Sequence, residues 1–96
     1  MPIEIQHDPA RGRFSHIDPA TKLLCECDYQ LQARVMVITH TGVPPALGGR
    51  GIAAELVQAA LDYAKVEGLQ VRPLCSYVAT YMRRHPDTLN LLEPQT

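Results

Sequence analysis

Val43-Pro44-Pro45-Ala46-Leu47-Gly48-Gly49-Arg50-Gly51-Ile52-Ala53 joins a β-branched apolar run to a long amphipathic one. The prolines stop a strand, because proline cannot donate to a sheet ladder. The glycines at 48, 49 and 51 let the backbone turn sharply and let another group come close. A helix predicted from about Gly51 aims its unpaired N–H groups and positive dipole end back at that turn. Such a junction is an anion site, and phosphate or pyrophosphate is the anion it suits.

Upstream of the junction, Val35-Met36-Val37-Ile38 is apolar on both faces, as in a central strand running to about Thr41. From Lys22 to Leu31 the alternation is clean. Leu23, Cys25, Cys27, Tyr29 and Leu31 share one face, while Glu26, Asp28 and Gln30 share the other. That pattern predicts an antiparallel strand with one wet face. Arg13 to Ile17 reads as another strand, and Ile3 with Ile5 as a short first one. Asp8-Pro9-Ala10-Arg11-Gly12 and Asp18-Pro19-Ala20 carry turn chemistry between them.

Downstream, the helix runs from about Gly51 to Glu67. Ile52, Ala53, Leu56, Val57, Ala60, Leu61 and Ala64 form its apolar stripe. Gly68 fits a left-handed C-terminal cap. Leu69 to Leu74 makes a last strand, interrupted by Pro73. Ser76 is placed to cap a second helix, Tyr77 to Arg84, which Pro86 ends. Leu89, Leu91 and Leu92 in the tail are placed to pack back on the body. The order is meander, helix, strand, helix. It predicts an α/β (α+β) fold with a mixed, mostly antiparallel sheet and two covering helices.

Ninety-six residues predict a single domain, 1–96, with a modest core. One Phe, four Tyr and no Trp make that core mainly aliphatic. A net charge of −1 with no basic run argues against a nucleic-acid partner, which would call for phosphate-neutralising Lys and Arg. No apolar run approaches the ~18 residues of a membrane span. Met1-Pro2-Ile3-Glu4 lacks the basic and apolar regions of a signal peptide. Cys25, Cys27 and Cys75 are an odd set that makes no disulfide framework. Free thiols fit a reducing compartment, so a cytoplasmic protein is expected. Cys25 and Cys27 lack partners at zinc spacing, and no metal site is expected.

Gly48-Gly49-Arg50-Gly51-Ile52-Ala53 at a strand-to-helix junction resembles the GNAT acetyltransferase superfamily. Its signature is Gln or Arg, two residues, Gly, one residue, then Gly or Ala; Gly51 and Ala53 match the second half. Gly48 stands where the superfamily carries Gln or Arg, so the phosphate contact implied there is by backbone. A closer resemblance is to the short, single-domain GNAT-like branch that carries a cysteine after its fifth strand. Here it reads as Thr39-His40-Thr41-Gly42-Val43-Pro44, the loop and helix, then Pro73-Leu74-Cys75-Ser76-Tyr77-Val78, with Tyr81 and Arg84-His85-Pro86 closing the pattern. The resemblance covers nearly the whole chain and implies a minimal GNAT-like fold. It implies acetyl-CoA (coenzyme A) as cosubstrate, with pyrophosphate on the backbone N–H groups of Gly49 to Ala53. It implies a pantetheine arm along the strand ending at Val43, where the sheet splays, and a thioester near His40 and Cys75.

Cys75, at a strand end before a helix N-terminus, is placed to be a thiolate nucleophile; the alternative is a small buried core residue. His40 suits a general base taking a proton from an amine; the alternative is a strand-end histidine bonded to backbone. Tyr81 falls where many GNAT proteins carry the tyrosine that protonates the leaving CoA thiolate, and core packing competes with that role. Arg50 is a charged donor for a phosphate oxygen, or a solvated loop side chain. Arg83 and Arg84 suit the CoA 3′-phosphate, though complementing a helix C-terminus also explains them, as it does His85. The leading expectation is an acetyl-CoA-dependent N-acetyltransferase acting on an amine acceptor, either a protein lysine or a small amine. The alternative is a non-catalytic CoA or acyl-CoA binding module. The absence of Gly-x-x-x-x-Gly-Lys-Ser/Thr counts against a nucleotide triphosphatase.

Overall fold

A computed structural model describes residues 3–94; Met1, Pro2, Gln95 and Thr96 lie outside the described residues. Five strands form one sheet in sequential order: β1 (Gln6–Asp8), β2 (Arg13–Ile17), β3 (Leu24–Gln32), β4 (Val35–Gly42) and β5 (Gln70–Pro73). The first four are an antiparallel meander, and β5 joins β4 in parallel. Between β4 and β5 lies helix α1 (Ile52–Glu67), and α2 (Ser76–Arg84) follows β5. The expected mixed, mostly antiparallel sheet with two helices is therefore the fold found.

Periodicity explains most of it. Cys25, Cys27 and Tyr29 are buried on the face of β3 that α1 covers, with Phe14 and His16 from β2. Met36, Val37 and Ile38 of β4 are 0%, 3% and 0% exposed, so this strand is covered on both faces, as its continuous apolar run requires. Ile52, Leu56, Val57, Ala60, Leu61 and Ala64 of α1 are buried against the sheet. Each large aliphatic among them contributes about 1.5–3 kcal/mol through burial. Gly68 ends α1 in the left-handed conformation, φ 69°.

Three expectations need correction. Ile3 and Ile5 are not on the strand, whose ladder spans only Gln6–Asp8. The segment before it leaves the sheet: the Ile3 amide donates to Glu55 Oε1 on α1 (3.3 Å), and the Glu4 carbonyl bonds His16 Nδ1 (2.8 Å). Ser76 is not the cap of α2; Cys75 occupies that position, with φ −73° and ψ 126°. In the tail, only Leu91 packs on the core, while Leu89 and Leu92 stay half exposed. Leu92 instead forms a parallel bridge with Val71, and Glu93 donates its amide to the Val71 carbonyl (2.9 Å). Glu93 also clasps Arg72 through two bonds of 2.7 and 2.8 Å. The tail thus covers part of the outer edge of β5, which would otherwise offer free ladder groups.

The feature that positions the site is a fork between β4 and β5. Their pairing ends at Ile38 with Pro73. The amides of Leu74 and Cys75 then both turn to the same Ile38 carbonyl, at 3.1 Å each, and α2 begins. Thr39 to Gly42 of β4 run on, paired with β3 alone. A bulge lies within this overhang: Asp28 faces His40 and Tyr29 faces Ile38, so Thr39 has no partner across the ladder.

Candidate active site

The glycine junction closes one end of the fork. After Gly42 a single 3₁₀ turn, Pro45–Leu47, drives Leu47 into the core at 1% exposure and anchors the loop. Gly49 and Gly51 then adopt φ of 80° and 76°, a region where a side chain is strained. A Cβ built at either would meet nothing within 4 Å, so the backbone is open to an approaching group. The first bond into α1 runs from the Glu55 amide to the Gly51 carbonyl (3.1 Å). None of the amides from Gly49 to Ala54 makes a hydrogen bond among the described residues. They are the free donors of a helix N-terminus, augmented by the loop.

Those amides border a cavity of about 270 Å³ lined by Val43, Leu47, Gly48, Gly49, Gly51, Ile52, Ala53 and Tyr77. It carries no charged side chain, so an anion there is held by backbone dipoles. Val43, Gly48, Gly49, Gly51, Ile52 and Ala53, expected from sequence at the cofactor, all line it; Arg50, Arg83 and Arg84 do not. The Arg50 guanidinium lies 3.7 Å from Asp18 instead, more than half exposed. Asp18 owes its lowered pKa first to the Thr21 amide and hydroxyl, with Arg50 a lesser influence. At 3.7 Å, with its guanidinium more than half exposed to screening water, Arg50 is held only loosely. A pyrophosphate group fits this site: donors are unused, the space is open, and no carboxylate faces it.

At the other side of the fork, Cys75 follows β5 by two residues and occupies the cap position of α2. Its Sγ lies 3.6 Å from Thr41 Oγ1 on the overhang of β4. The Tyr77 and Val78 amides face the sulfur without closing a capping hydrogen bond. Burial works against ionisation of this thiol. The Thr41 hydroxyl and the amides of Val78, Tyr77 and Thr41 outweigh it and hold the pKa below the ordinary thiol value. Cys27, fully buried beside the same Thr41 hydroxyl, is pushed up to about 11 by desolvation. Burial raises Cys25 as well. Of the three thiols, Cys75 is the one whose pKa is lowered.

His40 belongs to the same overhang but to the opposite face, because adjacent strand residues point opposite ways. Its Nε2 sits 3.3 Å from Glu26 Oε1, and the ring is largely exposed. Gly42 makes room for that pair, since a Cβ there would sit 2.8 Å from both atoms. Cys75 and His40 therefore approach the fork from different faces rather than as a touching pair. Tyr81 lies elsewhere. Its hydroxyl donates to Gln58 Oε1, two turns along α1, and its ring stacks on His85 at 3.9 Å. Burial raises its phenol pKa. Tyr77, not Tyr81, reaches the glycine-loop cavity. Thr41 and Tyr77 went unread in the sequence. Strict alternation would set Thr41 on the face opposite Met36 and Ile38; the bulge turns it to face Cys27 on the core side, and only topology places Tyr77 across from the loop.

A fork between a bulged antiparallel strand and a parallel one, with a free-amide cradle at its mouth, now stands beside known proteins. The sequence pattern of GCN5-related N-acetyl-transferases matches residues 13–91. The chain belongs to the GCN5-related N-acetyltransferase family. Among its relatives, protein NATD1 of Mus musculus is 36% identical over 89 residues, covering 88% of this chain and 78% of that one. NATD1 of Homo sapiens is 35% identical over 89 residues, with 88% and 76% covered. A solution structure from Staphylococcus aureus described as GCN5-like superposes with a TM-score of 0.76, covering 98% of this chain and 91% of that one. At 23% identity, that likeness shows the shared fold. GCN5-related N-acetyltransferases generally bind acetyl-CoA and an amine acceptor.

Proposed function

We propose that this chain is an N-acetyltransferase that moves acetyl from acetyl-CoA to an amine, either a protein lysine or a small amine. The observation that carries the reading is the fork. It opens from a cradle of six unused amides, Gly49 to Ala54, toward a thiol of lowered pKa. Bound there, acetyl-CoA supplies an activated thioester. The loop amides hold the pyrophosphate, and the overhang from Thr39 to Val43, free of β5, lines the path of the arm. Cys75 Sγ attacks the thioester carbonyl from the helix-covered face; the bond to the CoA sulfur breaks, and that sulfur leaves as thiolate. Thr41 Oγ1, which accepts from the thiol, can turn to donate to the thiolate form. The amine then attacks the acetyl group on Cys75, the sulfur–carbon bond breaks, and Cys75 returns as thiolate. His40, steadied by Glu26 on the open face, takes the proton that the amine loses. Three free thiols suit a reducing, cytoplasmic setting.

One observation favours a second reading, a CoA or acyl-CoA binding module. His40 on the overhang is exposed, with no element among the described residues over it to build an acceptor pocket. Both readings require coenzyme A, which thermal melting tests. A ligand at 100 times its Kd stabilises the folded state by about 2.7 kcal/mol. For a chain this size each kcal/mol moves Tm by roughly 4–8 °C. Coenzyme A and acetyl-CoA should therefore raise Tm by about 10 °C or more near saturation. Stabilisation by ATP or NAD and not by coenzyme A would overturn the assignment.

A further inference from the structure

We propose that Cys27, a buried thiol that the transfer itself does not touch, is a positioning residue for Cys75: its S–H donates to Thr41 Oγ1 and so commits the one proton of that hydroxyl to the sulfur of Cys75. This rests on the acetyltransferase reading above, in which Cys75 is the nucleophile, and adds a residue that acts on it from the core.

The fold brings the three groups into one row. Cys27 stands directly across the β3–β4 ladder from Thr41. Side chains so opposed have Cβ atoms about 4.5–5.5 Å apart, which puts the thiol within reach of the hydroxyl. On the other side of β4, Cys75 Sγ lies 3.6 Å from Thr41 Oγ1. Backbone fixes that approach, since the Cys75 amide donates to the Ile38 carbonyl at 3.1 Å. Thr41 is the middle member, and the bulge at Thr39 is what turns it inward between the two sulfurs.

Proton counting sets the direction. A hydroxyl carries one proton and two acceptor lone pairs. Thr41 Oγ1 has no hydrogen-bond partner other than these thiols among the described residues. Cys27 is 0% exposed, and desolvation pushes its thiol up to about 11, so at neutral pH it keeps its proton and is a donor. Cys75 is only partly buried and faces the Tyr77 and Val78 amides, so it is the sulfur that ionises. With one lone pair engaged by Cys27, the Thr41 hydroxyl turns its own proton to the Cys75 thiolate. An ionised Cys27 would do the reverse: it would claim that proton and set a second negative charge beside Cys75.

Few other groups act on the pair. Asp28, next to Cys27 on β3, raises that thiol further. Only the Thr41 hydroxyl and the amides of Val78, Tyr77 and Thr41 act against burial at Cys75, and no side-chain charge takes part. Cys25 supplies the contrast. It shares the buried face of β3 and is also 0% exposed, but its ladder partner is His16 on β2, away from the fork.

The pH dependence of Cys75 alkylation by iodoacetamide tests this, on the full chain without coenzyme A, with the site located by peptide mass spectrometry. The wild-type midpoint should lie below the ordinary thiol value of ~8.5. Thr41→Val keeps the shape and should raise the midpoint by about one unit, a tenfold change in the thiolate equilibrium. Cys27→Ala should raise it by about half a unit, or threefold. Thr41→Ser, which keeps the hydroxyl, should hold the wild-type midpoint. So should Cys25→Ala, the loss of an equally buried thiol. An unmoved midpoint in Cys27→Ala, or an equal rise in Cys25→Ala, would overturn the inference; so would a wild-type midpoint at or above the ordinary value. A lack of acceptor-dependent turnover would remove the acetyltransferase reading without moving any of these midpoints.

Discussion

Cys75→Ser should lower acetyl transfer at least 100-fold, about 2.7 kcal/mol in the barrier, and leave coenzyme A binding intact. The substitution keeps the size of the side chain and its place at the start of α2. It removes a thiol whose pKa is lowered against the pull of burial by the Thr41 hydroxyl and neighbouring amides. An alcohol there is far less acidic and stays protonated, so nucleophilicity is lost. The cradle from Gly49 to Ala54 is untouched by the change, so binding should persist. Wild type mixed with acetyl-CoA and no acceptor should gain one acetyl group on Cys75, located by peptide mass spectrometry. Cys27 and Cys25 should gain none, since burial raises both thiols and Cys27 sits at about 11. Full activity in Cys75→Ser, with no acetylated thiol in wild type, would mean that the amine attacks the thioester directly.

Gly51→Val should weaken coenzyme A by tenfold or more, about 1.4 kcal/mol. Two effects combine. A side chain at Gly51 meets no protein atom, so it projects into the space an anion would use. The backbone at φ 76° also disfavours any L side chain, by roughly 1–2 kcal/mol, and most of all a β-branched one. The variant should therefore melt earlier but still fold, because Leu47 and Ile52 keep the loop pinned on either side. Calorimetry on the folded variant separates the two effects. Unchanged affinity would place the cofactor away from this loop.

Much of this was legible because the pattern was strong. The alternation through Cys25, Cys27 and Tyr29 marks one buried face, and the run at Met36 to Ile38 marks a strand covered on both. The stripe along α1 and the glycine at its end set that helix almost to the residue. Less legible were features decided between distant segments. The bulge at Thr39 has no composition cue, since Ile38-Thr39-His40-Thr41 alternates like any strand, yet it sets which face His40 takes. Tyr81 sits where the family resemblance implies an acid, but Gln58 on α1 accepts its hydroxyl and draws it away from the loop. Ile3 and Ile5 alternate as strand residues do; a carboxylate on α1 captures the Ile3 amide instead. Arg50 reads in the sequence as a loop cation for phosphate or a solvated loop side chain, and Asp18, thirty-two positions earlier in the chain, lies 3.7 Å from its guanidinium. Local periodicity does not encode such long-range polar partners, which depend on how elements meet.

Acceptor-dependent release of free coenzyme A tests the central claim most directly. The full chain is incubated with acetyl-CoA and, in separate reactions, lysine-bearing peptides, polyamines and small primary amines, while free thiol is followed with time. The account predicts sustained release, many equivalents per protein, with at least one amine, and no more than one equivalent without any. Tight binding of acetyl-CoA with no acceptor-dependent release from any amine in the panel would contradict it and leave a coenzyme A binding module.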